Sequence, residues 1–253
     1  MSEVLVERRD RTLVITINRP ERRNAMTRAA GELIAEALDQ LDADDTLSVG
    51  VLTGAGGTFC SGMDLRRFAA GELASVPGRG FAGLTQRPPD KPLIAAVEGH
   101  AVAGGFETVL ACDLVVAARG AKFGLPEVRR GLVARAGGLM RLPQLIPRSA
   151  AMRLVLTGDT VDAAQAHTWG LVTELVEDGT ALEHALALAE RIARNAPLAV
   201  RVSKQVMAAS ADWPAGERFA RQAELTDPVF DSADAVEGAQ AFVDKREPRW
   251  TGR

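Results

Sequence analysis

Twice along this chain a short aliphatic run ends in glycine and gives way to a helix-forming stretch, and this repetition limits the fold more than any other feature. "SVGVLTG" at 48–54 leads into the glycine-rich "GAGGTFCSGMD" at 54–64. "PLIAAVEG" at 92–99 is followed by "GGFETVLAC" at 104–112 and by "DLVVAA" at 113–118. Short apolar runs bounded by glycine read as buried strands, and strands that alternate with helices argue for a layered α/β fold.

The flanking segments fit that frame. "VLVE" and "TLVITINRP" alternate around a polar "RDR", which predicts a β-hairpin ended by Pro20. Thr27 is placed to cap a helix whose apolar residues Leu33, Ile34, Ala37, Leu38 and Leu41 recur at helical spacing. Residues 71–92, with "VPGRG" and "RPPDKP", break the pattern and are expected to be the mobile part. Beyond residue 138 the periodicity predicts helices over 138–146, 149–156, 162–168, 181–194, 197–210, 215–226 and 233–244. "RNAPLA" at 194–199 reads as a hinge before the terminal helices.

With 253 residues the chain is long enough for a sizeable core. Its net charge of −3 and scattered arginine pairs form no basic patch, so nucleic acid is not an expected partner. Cys60 and Cys112 stand far apart in apolar settings, without disulfide or metal spacing, and are expected as buried free thiols in a reducing compartment. "MSEVLVERRD" lacks the layout of a signal peptide, and no apolar run is long enough to cross a bilayer. The expectation is a cytoplasmic protein without a membrane partner.

Three stretches are suited to chemistry. In "HAVAGGFETVL", at 100–110, a helix starting near Gly104 leaves first-turn N–H groups without partners, and these favour a developing negative charge. Glu107 follows in the same turn among apolar neighbours. A tight helix start with Glu107 merely favouring the dipole is the bland alternative. In "FGLPEVRRGL", Pro126 fixes the chain just before Glu127, again in apolar company. One such acid is usually a solvated or paired residue. Two of them can divide acid and base roles when their surroundings push their pKa values apart. In "GGTFCSGMDL" a second glycine turn offers the Met63 N–H, and two N–H groups converging from separate loops make an oxyanion hole.

Other patterns fail. Gly105 stands where a P-loop needs lysine, "GAGGTF" lacks the last glycine of a dinucleotide fingerprint, and Ser61 is not in a nucleophile elbow. His100, His167 and His184 show no metal spacing.

On these stretches the chain resembles the enoyl-CoA hydratase/isomerase (crotonase) superfamily nearly end to end. "INRPERRNAM" is similar to the first CoA-contacting segment of that family, and "GGTFCSGMDL" to its first oxyanion segment. The block from "KPLIAAVEGHAVAGGFETVLACDLVVAARGAKF" to "GLPEVRRGL" is the most specific, and "GGLMRLPQLIP", "LTGDTVDAAQAHTWGLV" and "SADAVEGAQAFVDKREPRW" continue the likeness. The resemblance implies a ClpP/crotonase-like α/β spiral of ββα units over residues 1–195. It also implies a helical trimerisation region over 196–253, in a homotrimer or homohexamer.

It maps the oxyanion amides to Met63 and Gly104 and the catalytic carboxylates to Glu107 and Glu127. CoA and substrate contacts map to Arg23, Ala25, Ser61, Met63, Asp64, Leu65, Arg66 and Gly104. Retention of both glutamates implies reversible hydration of a trans-2-enoyl-CoA thioester. Glu107 would activate water and Glu127 would deliver a proton, with no metal and no cofactor beyond the CoA of the substrate. "GGFE", "LPE" and "TWGLV" are also similar to the carnitinyl-CoA dehydratase branch. Isomerisation of a 3-enoyl-CoA and non-catalytic acyl-CoA binding are the competing expectations. A serine hydrolase built on Ser61 lacks a suitably placed His–Asp pair. One departure stands out: many hydratases have a Pro-Gly-Ala-Gly-Gly-like loop where this chain has "VARAGG" at 133–138, so Arg135 either enters the pocket or points outward.

Overall fold

A computed structural model describes residues 2–253. Its large sheet has six strands in the order β1-β2-β3-β6-β8-β11. These are β1 (Val4–Arg9), β2 (Thr12–Ile17), β3 (Val49–Gly54), β6 (Leu93–Val97), β8 (Leu114–Ala118) and β11 (Glu174–Val176). Only β1 runs antiparallel, as the outer arm of the N-terminal hairpin. A small sheet, order β10-β9-β7, joins β7 (His100–Val102), β9 (Lys122–Gly124) and β10 (Thr160–Asp162), and a two-stranded ribbon pairs β4 (Ser75–Val76) with β5 (Gly80–Phe81).

Both faces of the sheet's inner strands are covered, so β2, β3, β6 and β8 read as largely apolar runs, while the edge strand β1 stays exposed. Alternate residues point to opposite faces. Val49, Val51, Ile94, Ala96 and Val116 meet Ala185, Leu188 and Ala189 of α7 (Ala181–Ala193). Leu52, Leu93, Ala95, Val97, Val115 and Ala117 enter the larger core on the other side. That core takes Ile34, Leu38 and Leu41 from α1 (Arg28–Ala43), whose N-cap Thr27 accepts from the Ala30 N–H. Phe59, Phe106 and Phe123 are fully buried in it. Each such side chain contributes about 1.5–3 kcal/mol by leaving water.

A ββα unit repeats at the centre. β6 lies in the large sheet, β7 in the small one, and α3 (Gly104–Val109) follows; β8 and β9 repeat the pattern before a 3-10 turn (Pro126–Arg130). The repeat positions the site, because β7 and β9 pair in parallel with Val102 opposite Gly124. The chain therefore leaves both strands on the same side, toward Glu107 and Glu127.

The remaining helices are α2 (Leu65–Ala69), α4 (Gly138–Leu145), α5 (Arg148–Thr157), α6 (Ala163–Thr168), α8 (Pro197–Ala209), α9 (Arg218–Phe230) and α10 (Ala233–Asp244). Two expectations need correction. Residues 71–92 hold the β4–β5 ribbon and are docked rather than loose. Buried Arg79 pairs with Asp39 of α1 at 3.1 Å and donates to the Gly83 carbonyl at 3.0 Å, while Phe81, Ala82 and Leu84 are buried. Short strands β7, β9, β10 and β11 were not expected, since three residues carry too little alternation to read. At the expected hinge, α8 is tied back to the core. Lys204 donates to the carbonyls of Pro89 (2.8 Å) and Lys91 (2.9 Å) and pairs with Asp113 at 2.6 Å.

Candidate active site

Ser61 and Met63 belong to the loop that leaves β3, and this loop runs alongside the small sheet. The Cys60 N–H donates to the His100 carbonyl and the Val102 N–H donates to the Cys60 carbonyl. On its far side the Met26 N–H donates to the Gly62 carbonyl and the Asp64 N–H to the Met26 carbonyl. These bonds use the amides on either side of Met63 but leave its own N–H free of a protein acceptor among the described residues. The Gly104 N–H, first in α3, is equally free, because a helix cannot satisfy its own first amides.

Glycine brings the two segments together. A Cβ on Gly62, which sits at φ +92°, would lie 3.3 Å from the Gly104 nitrogen and 2.9 Å from the Ala103 Cβ. A Cβ on Gly104 would meet the Phe81 ring at 2.4 Å. Phe81 therefore closes the wall over Gly104, a role hidden within a segment whose sequence signalled only turns. Ala103, the residue before α3, is held at φ 51° and ψ −131°. An L-residue there costs about 1–3 kcal/mol. Ala103→Gly is expected to raise stability by about 1 kcal/mol after the entropy loss of a glycine, or roughly 2–4 °C in Tm. Calorimetric melting checks it; an unchanged or lower Tm would contradict the strain.

Met63, Gly104, Glu107 and Glu127 all line one cavity of about 850 Å³, together with Arg23, Ser61 and Leu65. Ala25, Asp64 and Arg66 lie outside its lining. Asp64 is committed elsewhere: it caps α2 by accepting from the Arg66 and Arg67 N–H groups and pairs with Arg19 at 3.1 Å. Apolar wall comes from Phe68, Leu73, Val76, Phe81, Leu132 and Val133. Arg135, whose direction was open, lines the cavity as well.

The two carboxyl groups share a cavity but not an environment. Glu107 is 3% exposed, and its Oε1 accepts from the Ala136 N–H (2.7 Å) and the Gly138 N–H (2.9 Å). Burial pushes its pKa above the ordinary carboxylate value, while these donors and the Arg141 guanidinium pull the other way. Glu127 is pushed further, to about 7, first by burial and then by the Glu107 charge, against its own N–H and Arg130. Its Oε2 is buried without a partner. At neutral pH Glu107 is the better-stabilised anion and Glu127 the group poised to hold or release a proton.

The Ala136 and Gly138 donors were not anticipated, although the Gly137-Gly138 pair signalled a close approach. A Cβ on Gly138 would lie 3.0 Å from Glu107 Oε1. Arg141 was also missed. It reaches from α4 to the Thr85 carbonyl at 2.7 Å and the Ala136 carbonyl at 3.5 Å, joining the 71–92 segment to the loop that holds Glu107.

The sequence pattern of the enoyl-CoA hydratase/isomerase family matches residues 7–253. The chain belongs to this family. Among relatives, enoyl-CoA hydratase EchA19 of Mycobacterium tuberculosis is 41% identical over 99% of this chain and 97% of its own. Carnitinyl-CoA dehydratase of Salmonella typhimurium is 41% identical over the full length of both. A solved enoyl-CoA hydratase from Mycobacterium tuberculosis H37Rv superposes with a TM-score of 0.98 at 57% identity over 100% of both chains. A carnitinyl-CoA hydratase from Mycobacterium avium gives 0.80 at 44% identity, again over 100% of both. The α/β fold is thus the crotonase fold, and the twin ββα units are its repeat.

Proposed function

We propose that the chain is an enoyl-CoA hydratase, adding water reversibly and syn across the double bond of a trans-2-enoyl-CoA to give a 3-hydroxyacyl-CoA. One observation carries this reading. Two carboxyl groups, one held by two amides and one with an unpartnered oxygen, line a single cavity together with Met63 and Gly104, whose N–H groups have no protein acceptor among the described residues.

In the proposed step the thioester oxygen accepts from the Met63 and Gly104 amides. Electron density withdrawn onto that oxygen leaves the β-carbon open to attack, and the developing enolate is stabilised by preorganised donors. Ionised Glu107 takes a proton from water as the water oxygen bonds to the β-carbon. Neutral Glu127 gives its proton to the α-carbon. Proton exchange with solvent then restores both groups. The step moves only water and protons, so the CoA of the substrate is the one cofactor it uses. Arg23, Ser61 and Leu65 are proposed to hold the CoA side, with Ala25, Asp64 and Arg66 in supporting positions beyond the cavity.

Crotonyl-CoA hydration, followed by loss of the conjugated thioester absorbance, tests the reading. Turnover of 3-enoyl-CoA alone would replace it with isomerisation, and binding without turnover of any chain length would replace it with a carrier role. Arg141→Gln removes a cation that draws the Glu107 pKa down. Its acid limb of kcat/KM is therefore expected to move to higher pH, with a larger loss at pH 6 than at pH 8. A purely structural arginine would lower the plateau and leave the limb in place.

The proposal extends to assembly. Phe219, Phe230 and Phe242 on α9 and α10 are 85%, 80% and 86% exposed, whereas Trp250 packs on its own chain and donates to the Arg194 carbonyl. Such apolar surface supports residues 196–253 as the contact region of a trimer or a hexamer of two trimers, to be read by sedimentation. No helix among the described residues is long and apolar enough to cross a membrane. A cytoplasmic setting, as proposed here, suits the free thiols of Cys60 and Cys112.

A further inference from the structure

Three exposed arginines among the cavity's lining residues are neither acid nor base in the proposed proton transfers. Arg23, Arg130 and Arg135 line it, and none of their side chains has an ion-pair or hydrogen-bond partner among the described residues. Their sequence neighbours differ: Arg19 pairs with Glu3 and Asp64, and Arg129 pairs with Asp159.

The three fall on two sides. Arg23 adjoins the oxyanion loop, since its carbonyl accepts from the Ser61 N–H at 3.1 Å. Arg130 ends the 3-10 turn that contains Glu127, and Arg135 directly precedes Ala136, whose N–H holds Glu107. A thioester with its oxygen at the two amides directs its β-carbon to the glutamates. In the proposed pose the acyl chain beyond that carbon would run to the side of the cavity where Leu132, Val133 and these two arginines are lining residues. Beyond the two catalytic candidates Glu107 and Glu127, the described lining residues give a cation no further anion there. Apart from Glu107 and Glu127 no carboxylate lines it, and its aromatic residues are Phe68 and Phe81 alone. A quaternary ammonium is recognised by anions or by a cage of aromatic rings.

We propose that Arg130 and Arg135 select the acyl group by charge, favouring chains whose far end carries a carboxylate, accepting neutral chains and rejecting those with a quaternary ammonium. This rests on the enoyl-CoA hydratase reading and narrows its substrate. It separates the chain from its carnitinyl-CoA dehydratase relatives, because a carnitinyl group bears a quaternary ammonium.

The test compares kcat/KM for crotonyl-CoA, a trans-2-enedioyl-CoA of five carbons, and crotonobetainyl-CoA, using the full chain at low salt. CoA is common to all three, so attraction of its phosphates to any arginine cancels in the ratios. The expected order is carboxylate, neutral, cation, with about tenfold discrimination per guanidinium. Arg135→Gln should cut the carboxylate-to-cation ratio about tenfold, and Arg130→Gln with Arg135→Gln should bring it near unity. Raising salt to ~0.5 M should compress the wild-type ratio, as screening requires. Equal losses for all three substrates in R135Q, or a ratio indifferent to R135Q and salt, would overturn the proposal. If no enoyl-CoA is hydrated, the hydratase reading fails by itself. Kd values of the saturated acyl-CoA counterparts then decide selection: the same order supports it, and equal values overturn it.

Discussion

Glu127→Gln is expected to lower kcat for crotonyl-CoA hydration by about 10²–10⁴-fold and, at the same time, to make the protein more stable above neutral pH. The rate loss follows from removing the proposed proton donor, since general acid catalysis contributes a factor of that size. The gain in stability follows from the pKa of about 7 that burial imposes on Glu127. The folded chain retains a proton that the unfolded chain gives up near pH 4.5, so stability falls as pH rises through the window from about 4.5 to 7. Glutamine has no such penalty. Discounted for partial exposure, the difference in its favour at pH 8 is on the order of 1–2 kcal/mol, vanishing near pH 4. Wild-type kcat/KM for hydration should fall as pH rises past about 7, where the donor is lost.

Glu107→Gln keeps an oxygen for the Ala136 and Gly138 donors but cannot accept a proton from water, so a comparable loss of kcat is expected. The double variant should lose little more than either single one, because both groups serve one step. Steady-state kinetics with denaturant unfolding at pH 5 and pH 8 check the set. Near wild-type turnover in either single variant would end this division of roles.

Gly105→Ala is the substitution with the largest expected effect on folding. An added Cβ would lie 2.2 Å from the Cys60 carbonyl oxygen and 2.8 Å from its carbon. That carbonyl accepts from the Val102 N–H, so the contact cannot be relieved without parting the Cys60–Met63 loop from β7. Overpacking against fixed backbone of this kind is expected to cost about 3–5 kcal/mol, or about 10 °C in Tm.

Gly104→Ala differs, because its new Cβ meets the Phe81 ring, a side chain able to shift. A cost of about 1–2 kcal/mol is expected, with a loss of kcat/KM of about 10² or more as the amide or the wall is displaced. Melting curves and crotonyl-CoA kinetics on the two variants separate a folding role from a catalytic one. Equal stability losses would contradict the contrast.

Much of the architecture was legible locally. The N-terminal hairpin, the Thr27 cap, the strands at 49–54, 93–97 and 114–118 and the helices beyond 138 each rest on a run long enough to show its period. The candidate site was legible as residue types: two glycine turns and two acids in apolar settings, placed by the family resemblance. What stayed hidden has a common cause. β7 and β9 are three residues each, and their parallel register depends on chain 22 residues away rather than on alternation within either strand. The docking of residues 71–92 depends on Arg79 reaching α1, and a buried arginine cannot be told from an exposed one by composition.

The amino-acid sequence by itself determined the strand–glycine–helix alternation, the family, and the presence of both glutamates, Glu107 shortly after the Gly104-Gly105 pair and Glu127 directly after Pro126. These are properties of local period, turn chemistry and residue identity. Only the tertiary structure decided that Glu107 is held by two loop amides while Glu127 is left with an unpartnered oxygen, that Phe81 and Arg135 line the same cavity, and that the Arg141 charge reaches Glu107. Desolvation and charge at a point are sums over atoms from distant parts of the chain, so they come into being only when the sheets pair and the cavity closes.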